Sequence, residues 1–241
     1  MQLTHNHFDI GLLTDLEHLI IKNNQNLTGT IPSSIGNLTS CYQIGLYNNN
    51  LSGSIPIEIT KLEKLKYLNI AHNNISGIVP TNIGLLTNLQ KLVLDNNGLS
   101  GHIIPDHYKD MKGLRLLSLS MNSFSGTLPY TMELMTSLQY LYLDNNDIYG
   151  RIPEEMKALT NLKSLSLAHN NFQFAIPQEL VSLSNLRYVS LNSNEFEGHL
   201  AGNIFSHWTQ VVHLLLHEND LSGTIPTTIG QLNQLGESKI E

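Results

Sequence analysis

Apolar and polar positions alternate along the chain in a pattern that recurs about every 24 residues. In the stretch from Cys41 to Lys64, Ile44 and Leu46 alternate with Gly45 and Tyr47. This period of two predicts a short strand that buries Ile44 and Leu46 on one side and turns the other two residues outward.

The rest of the unit brings the chain back to the interior. Asn49 ends the strand, and its amide can satisfy backbone groups of the turn that would otherwise be buried without a partner. Leu51 returns to the core, Gly53 permits a tight backbone path, and Pro56 prevents a regular helix at that point. Two further aliphatic residues close the far wall before the next strand.

The unit repeats with a spacing of 24 or 25 residues. Successive units begin at Leu16, Cys41, Leu65, Leu89, Leu114, Leu138, Leu162, Leu186, Val211 and Leu235. The asparagine of the turn recurs as Asn73, Asn97, Asn122, Asn146, Asn170, Asn194 and Asn219. One unit cannot bury its apolar edge alone, but stacked units can, with parallel strands about 4.8 Å apart.

The predicted fold is an α/β-type solenoid that is mostly β. We expect a right-handed superhelix with a parallel β-sheet on its concave face and irregular or 3-10 segments on its convex side. For nine repeats the sheet is expected to run roughly 40 Å.

The repeats leave room for a single domain, residues 1–241. Residues 1–15 form a degraded partial repeat, residues 16–234 contain nine repeats of 24–25 residues, and residues 235–241 begin a truncated repeat with Ser238 at a core position. Neither end has a recognisable cap, which predicts that the chain is a segment of a longer array.

Some repeats are irregular behind the strand, where loops tolerate insertion. One extra residue lies near Asn26 and another at Ile104, Phe174 replaces the glycine of its repeat, and Trp208 fills the position of Leu62. We expect these changes to bend the coil locally.

Composition excludes several classes of function. The net charge is −7, which argues against a nucleic-acid partner, because neutralising phosphates needs a basic face. No apolar run approaches the roughly 18 residues of a membrane span, and the first residues lack the features of a signal peptide. Cys41 is the only cysteine, so we expect no internal disulfide and a small buried thiol at a leucine position.

Three blocks carry a family resemblance: NQNLTGTIPSSIG at 24–36, NNNLSGSIPIEI at 48–59 and ENDLSGTIPTTIG at 218–230. They resemble the plant-specific class of leucine-rich repeats. Over residues 16–235 the chain is similar to the ectodomains of plant receptor-like kinases and receptor-like proteins, and to polygalacturonase-inhibiting proteins. The resemblance implies a non-catalytic recognition surface, extracellular or associated with the plasma membrane, that binds a peptide, protein or cell-wall glycan in signalling or defence. The paired-cysteine caps of those ectodomains are absent, so we expect a fragment of such a receptor.

Outward strand residues should form columns on the concave face. Tyr140 and Tyr142 share a strand with Asp144, which places an aromatic patch beside a carboxylate, and tyrosine is favoured at interfaces. Tyrosine also fits an exposed strand for purely structural reasons. Outward positions carry six basic and four acidic side chains, a slight excess that suits an acidic peptide or glycan. The predicted ligand-binding residues are Tyr47, Tyr67, Lys91, Asp95, Arg115, Tyr140, Tyr142, Asp144, Tyr188 and His213.

Catalysis is not expected. Asp95 and Asp144 share a column two repeats apart, which implies roughly 10 Å between strands. Carboxylates in an inverting glycosidase are about 6.5–9.5 Å apart, so this pair is marginal at best.

A metal site is not expected either. His213 and His217 would lie about 13 Å apart along a strand, too far to share one ion. His5 and His7 are close enough to touch one ion but lie at the chain terminus. We predict no metal and no cofactor.

Potential N-glycosylation sequons occur at Asn26, Asn37, Asn50 and Asn74. The repeat pattern itself generates such triplets, so they are weak evidence for secretion.

The favoured function is therefore recognition of a peptide, protein or glycan by a receptor-like ectodomain fragment. A free-standing inhibitor of a wall-degrading hydrolase ranks second within this class. A structural scaffold segment is an alternative class, and a hydrolase that uses Asp95 or Asp144 is a third. The sequence does not determine the oligomeric state or the ligand.

Overall fold

The computed structural model describes residues 9–103 and 110–239, which wind as a solenoid. One strand from each turn enters a ten-stranded sheet, here called the front sheet, in which the strands follow chain order and pair in parallel. Its strands are β1 His18–Ile20, β3 Gln43–Gly45, β5 Tyr67–Asn69, β7 Lys91–Val93, β9 Leu116–Ser118, β11 Tyr140–Tyr142, β13 Ser164–Ser166, β15 Tyr188–Ser190, β17 His213–Leu215 and β19 Glu237–Lys239. The predicted parallel solenoid is confirmed.

The front sheet pairs equivalent positions of successive turns. Within β5, Leu68 is buried while its two neighbours on the strand are partly exposed, as the period of two predicts. The first outward column runs through His18, Gln43, Tyr67, Lys91, Leu116, Tyr140, Ser164, Tyr188 and His213. The predicted columns of side chains are therefore present in the structure.

A second parallel sheet of nine strands, here called the rear sheet, lies behind the turn asparagines. Its strands are β2 Asn24–Thr30, β4 Asn49–Gly53, β6 Asn74–Ile78, β8 Gly98–His102, β10 Ser123–Gly126, β12 Asp147–Gly150, β14 Asn171–Phe174, β16 Glu195–His199 and β18 Asp220–Ser222. The sequence analysis predicted 3-10 segments, which are present, and did not anticipate this second sheet. Leu51 is buried between the exposed Asn50 and the half-buried Ser52, so each unit contains a second short alternation that can pair with the next turn.

Short 3-10 helices complete the turns. In the described part of the chain they span Ile10–Leu12, Ser33–Asn37, Ile57–Lys61, Thr81–Leu85, Tyr130–Leu134, Glu154–Ala158, Gln178–Ser182, Ile204–Ser206 and Thr227–Gln231. Most begin directly after a proline with extended backbone, such as Pro56, because proline disfavours helical backbone in the residue before it. The helix after Pro56 ends where the N–H of Leu62 bonds back to the carbonyl of Ile59.

The interior is one continuous apolar cluster that runs the length of the coil. Phe172 and Phe196, on adjacent strands of the rear sheet, stack with ring centroids 5.8 Å apart. Cys41 is fully buried, as expected from its leucine position. Trp208 is also buried, and its Nε1–H donates a 3.0 Å hydrogen bond to the carbonyl of Leu180 in the preceding turn.

The turn asparagines form the predicted ladder. The Oδ1 of Asn73 accepts from the backbone N–H of Leu51 in the previous turn, and its Nδ2 donates to the carbonyls of Leu46 and Ile70. One amide thus satisfies backbone groups of two turns, which explains why the position is asparagine in repeat after repeat.

Some expectations concern residues that are not described. His5, His7 and Ile104 lie outside the described residues, and so does the side chain of Ser238.

Candidate ligand-binding site

The first groove on the front sheet lies over its first four strands. It has a volume of about 440 Å³ and is lined by, among others, Lys22, Tyr47, Tyr67 and Lys91. A Cβ at Gly45 would lie 3.5 Å from the Tyr47 ring, so the glycine keeps the groove floor open between β1 and β5.

Each tyrosine of the first groove is paired with a lysine. The Nζ of Lys22 lies 5.5 Å from the ring centroid of Tyr47, and the Nζ of Lys91 lies 5.6 Å from that of Tyr67. Such cation–π contacts fix the rings while leaving the ammonium groups able to meet an anion. The described lining of this groove contains no carboxylate.

A second groove of about 490 Å³ lies over β11 to β15. Tyr140 and Tyr142 form one wall, with ring centroids 6.4 Å apart, and Tyr188 forms the other. The small, buried Ser164 and Ser166 lie between them on β13, so the floor is lower than its walls.

Charged residues complete the second groove. Asp144, Lys163 and Arg187 line it beside the tyrosines. The Nζ of Lys163 donates a 3.2 Å hydrogen bond to the side chain of Gln139. This groove therefore offers both signs of charge, whereas the first groove offers only ammonium groups.

A hydrogen-bond network connects the turns between the grooves. Ser118 Oγ donates to both carboxylate oxygens of Asp95, at 2.7 and 2.8 Å, and the backbone N–H of Ser120 donates to Asp95 Oδ1 at 3.0 Å. Ser120 Oγ donates in turn to Asp144 Oδ1 at 2.7 Å. Both serines are buried, so these hydrogen bonds lie against the backbone of the sheet and are shielded from water.

Burial raises the pKa of the Asp95 carboxyl above its ordinary value. The hydrogen bonds from Ser118 and Ser120 oppose this shift, and the nearby Asp144 adds to it. Asp95 and Asp144 are both half-buried, and each has both carboxylate oxygens in hydrogen bonds with neighbouring side chains.

The structure divides the ligand-binding residues expected from the sequence into two groups. Tyr47, Tyr67 and Lys91 line the first groove, and Tyr140, Tyr142, Asp144 and Tyr188 line the second. Of the remaining three, His213 lies 5.9 Å from the Tyr188 ring at the edge of the second groove, while Asp95 and Arg115 belong to neither described lining.

Sequence reasoning did not select Lys22, Lys163 or Arg187 as site residues, although they line the grooves. A signal for the second groove was present in the sequence, because the small residue Ser164 lies between Tyr140 and Tyr188 in one column. Small residues between large ones on one face indicate a depression.

No metal centre is found in the part of the chain that the structure describes. Within residues 9–103 and 110–239, no three His, Cys, Asp or Glu side chains come together so as to hold an ion. Over the same residues, no helix combines the length and apolar character that a membrane crossing requires.

All four sequon asparagines are exposed. Asn26, Asn50 and Asn74 lie on β2, β4 and β6 of the rear sheet, and Asn37 ends a 3-10 helix.

Comparison with protein families gives leucine rich repeat models over more than half of the chain. They match residues 15–38, 64–86, 87–148 and 161–183. A search of curated protein sequences gave no significant match.

Several solved structures are similar to the chain. The plant peptide hormone receptor RGFR1, in complex with RGF2, matches with 33% identity and a TM-score of 0.91 over 94% of this chain and 36% of that one. The ectodomain of the membrane receptor kinase GASSHO1/SCHENGEN3 from Arabidopsis thaliana, in complex with CASPARIAN STRIP INTEGRITY FACTOR 2, matches with 31% identity and a TM-score of 0.80 over 93% and 29%. A TDR receptor matches with 27% identity and a TM-score of 0.85 over 94% and 43%. The chain therefore spans less than half the length of each of these receptors.

Proposed function

The chain belongs to the leucine-rich repeat family, and from this premise we propose that it is a non-catalytic recognition module that binds a peptide or protein segment across its front sheet. The observation that carries the proposal is the presence of two tyrosine-lined grooves on one continuous sheet. The similar receptor structures are themselves described as complexes with peptide or protein factors, which supports the same use of this surface.

The two grooves suit an extended ligand that crosses several strands. About five strand spacings separate β3 from β13, which corresponds to roughly 24 Å. An extended peptide covers that distance with roughly seven residues at about 3.4 Å each. The tyrosine rings would supply apolar contact area at both ends, with hydroxyl groups for directional hydrogen bonds.

The charged residues that line the two grooves favour one orientation of the ligand along the front sheet. Lys22 and Lys91 favour an acidic group over the first turns of the solenoid. The second groove combines Asp144 with Lys163 and Arg187, so it accommodates a polar or zwitterionic segment. We propose an acidic end toward β1 and an amphipathic segment toward β15.

Location and physiological role are part of the proposal. A receptor-like ectodomain segment outside the cell is favoured by the similarity to plant receptor ectodomains and agrees with four exposed sequons. An inhibitor of a wall-degrading hydrolase would use the same surface but would bind a folded enzyme rather than a short peptide.

Selection from a displayed random peptide library tests the proposal, followed by measurement of Kd for the selected peptides. We expect Tyr67→Ala and Tyr142→Ala each to weaken binding by about tenfold, because each removes an aromatic anchor. Tyr130→Ala is the matched control, since Tyr130 is 65% exposed on a 3-10 helix away from the sheet. Selected peptides that bind the Tyr67/Tyr142 double variant as well as the original chain would refute the proposal and favour a structural scaffold.

A further inference from the structure

One repeat carries a bulky aromatic residue where the others carry glycine. In the described chain the equivalent residues are Gly29, Gly53, Gly77, Gly101, Gly126, Gly150, Gly198 and Gly223, all with φ between 77° and 103°. Phe174 takes this position in the seventh repeat with φ of 67°. Side chains of L-residues rarely adopt this backbone, so the substitution works against folding.

Phe174 does not enter the core. Its side chain is 45% exposed, and Tyr149 on the adjacent strand β12 is 50% exposed. The guanidinium of Arg151 lies over the Phe174 ring, 5.2 Å from its centroid. Tyr149 stands where most repeats have serine or threonine, so two consecutive turns have replaced small residues by exposed aromatic ones.

Phe174 and Arg151 line a groove beside the ends of β12 and β14 in the rear sheet, here called the lateral groove. It has a volume of about 470 Å³, and its apolar lining comes from Ile152, Pro153, Phe174, Ala175 and Pro177. Glu154, Glu155 and Glu179, from two successive 3-10 helices, line the same groove, and among the residues that the structure describes Arg151 is the one cation in its lining. The lining is thus apolar with an excess of carboxylates.

We infer that the lateral groove is a docking site for a protein segment that carries arginine or lysine side chains. Charge complementarity argues for this occupant, because three carboxylates and only one guanidinium, which lies over Phe174, are found in the described lining of the groove. The apolar stem of a basic side chain packs on phenylalanine and proline while its charged head reaches the glutamates. An acidic segment would meet like charges in the same groove.

This site is separate from the two grooves of the front sheet. None of its lining residues belongs to either of them. A partner held there would leave the front sheet accessible, so the chain can bind a ligand and a second protein together.

The experiment uses the whole chain and a short fluorescein-labelled peptide of alternating arginine and leucine, followed by fluorescence anisotropy. A peptide of alternating glutamate and leucine, of the same length, is the comparison. We expect the basic peptide to bind and Phe174→Gly to weaken it by about tenfold through loss of the aromatic anchor. Because Phe174→Gly restores the residue of the other repeats, its unfolding midpoint should be unchanged or higher, which separates lost binding from lost folding.

Two triple variants distinguish the effect of the groove glutamates from the effect of net charge. Glu154→Gln, Glu155→Gln and Glu179→Gln together should weaken the basic peptide by about tenfold, whereas Glu58→Gln, Glu63→Gln and Glu133→Gln, with the same change in net charge, should change it by less than about twofold.

The inference would be overturned if the two sets of glutamate variants lost equal affinity, or if Phe174→Gly left the Kd unchanged. It would also be overturned if the acidic peptide bound more strongly than the basic one, or if the basic peptide did not bind. Self-association of the chain that Phe174→Gly abolishes would also overturn it, because the occupant would then be a second copy.

Discussion

The Oδ1 of Asn146 accepts a 3.0 Å hydrogen bond from the backbone N–H of Phe124, a residue of the preceding turn. The Nδ2 of the same amide donates to the carbonyls of Leu119 and Leu143, each at or near 3.0 Å. Asn146 is buried, so water cannot replace these bonds if the side chain is lost. Each asparagine of the ladder therefore joins two turns through their backbone groups.

Asn146→Ala should lower the free energy of unfolding by about 3 kcal/mol, because it leaves several buried backbone groups without partners. Urea denaturation followed by circular dichroism measures the change. Asn161→Ala is the control, since the exposed Asn161 makes one 2.9 Å bond to the carbonyl of Thr136 and should cost less than about 1 kcal/mol. Similar losses in the two variants would contradict the ladder as a main source of stability.

Lys22→Gln with Lys91→Gln should weaken an acidic peptide selected on the front sheet by about fivefold and flatten the dependence of its Kd on salt. The reason is that both ammonium groups lie in a groove whose described lining contains no carboxylate. Titration calorimetry at two salt concentrations measures both effects. Lys64→Gln with Lys112→Gln removes the same charge from exposed positions outside this groove. A matching loss in that control would assign the effect to net charge alone.

The raised pKa of Asp95 predicts a pH dependence of stability. The folded state binds this proton more tightly than the unfolded state, so the contribution of Asp95 to the free energy of unfolding increases as pH falls from above the raised pKa toward the ordinary value of 3.8. Asp95→Asn removes that contribution. Thermal melts of both proteins across this range should show a difference that narrows or reverses toward neutral pH. Parallel curves would show that Asp95 titrates normally.

Cys41 should resist thiol reagents in the folded protein. It is fully buried, its Sγ–H donates to the carbonyl of Gln43, and burial raises the pKa of the thiol above its usual value. Mixing with a chromogenic disulfide reagent should give no rapid reaction in native buffer and one reactive thiol in urea. Fast labelling without denaturant would mean that the first turns open readily.

The period of the sequence determined which residues share a column. Tyr67, Lys91 and Tyr140 were placed together from spacing alone, and the strand registers confirm it. The repeat period predicts these columns because every turn packs its aliphatic residues into the core in the same way. The residue positions in one turn therefore predict those in the next. The turn asparagines follow for the same reason.

The features that the sequence did not predict depend on how far each side chain projects from the sheet and in which direction, and not on its place in the repeat. The rear sheet was missed because its strands have one buried residue between polar neighbours, a signal too short to separate from a loop. Each groove lies where a small residue is found beside tyrosines, Gly45 in the first groove and Ser164 in the second. The bonding of Asp95 to Ser118 required knowledge of side-chain directions that spacing does not supply.

Because strands pair in register from one turn to the next, the distance between the two tyrosine-lined grooves is a whole number of turns. Duplicating one 24-residue unit between Val93 and Tyr140 would move the second groove away from the first by a single step of about 4.8 Å without disturbing either. The spacing between the two grooves can therefore change only by whole repeats. Duplication or loss of one repeat would change the length of ligand that spans both grooves, without remodelling either groove.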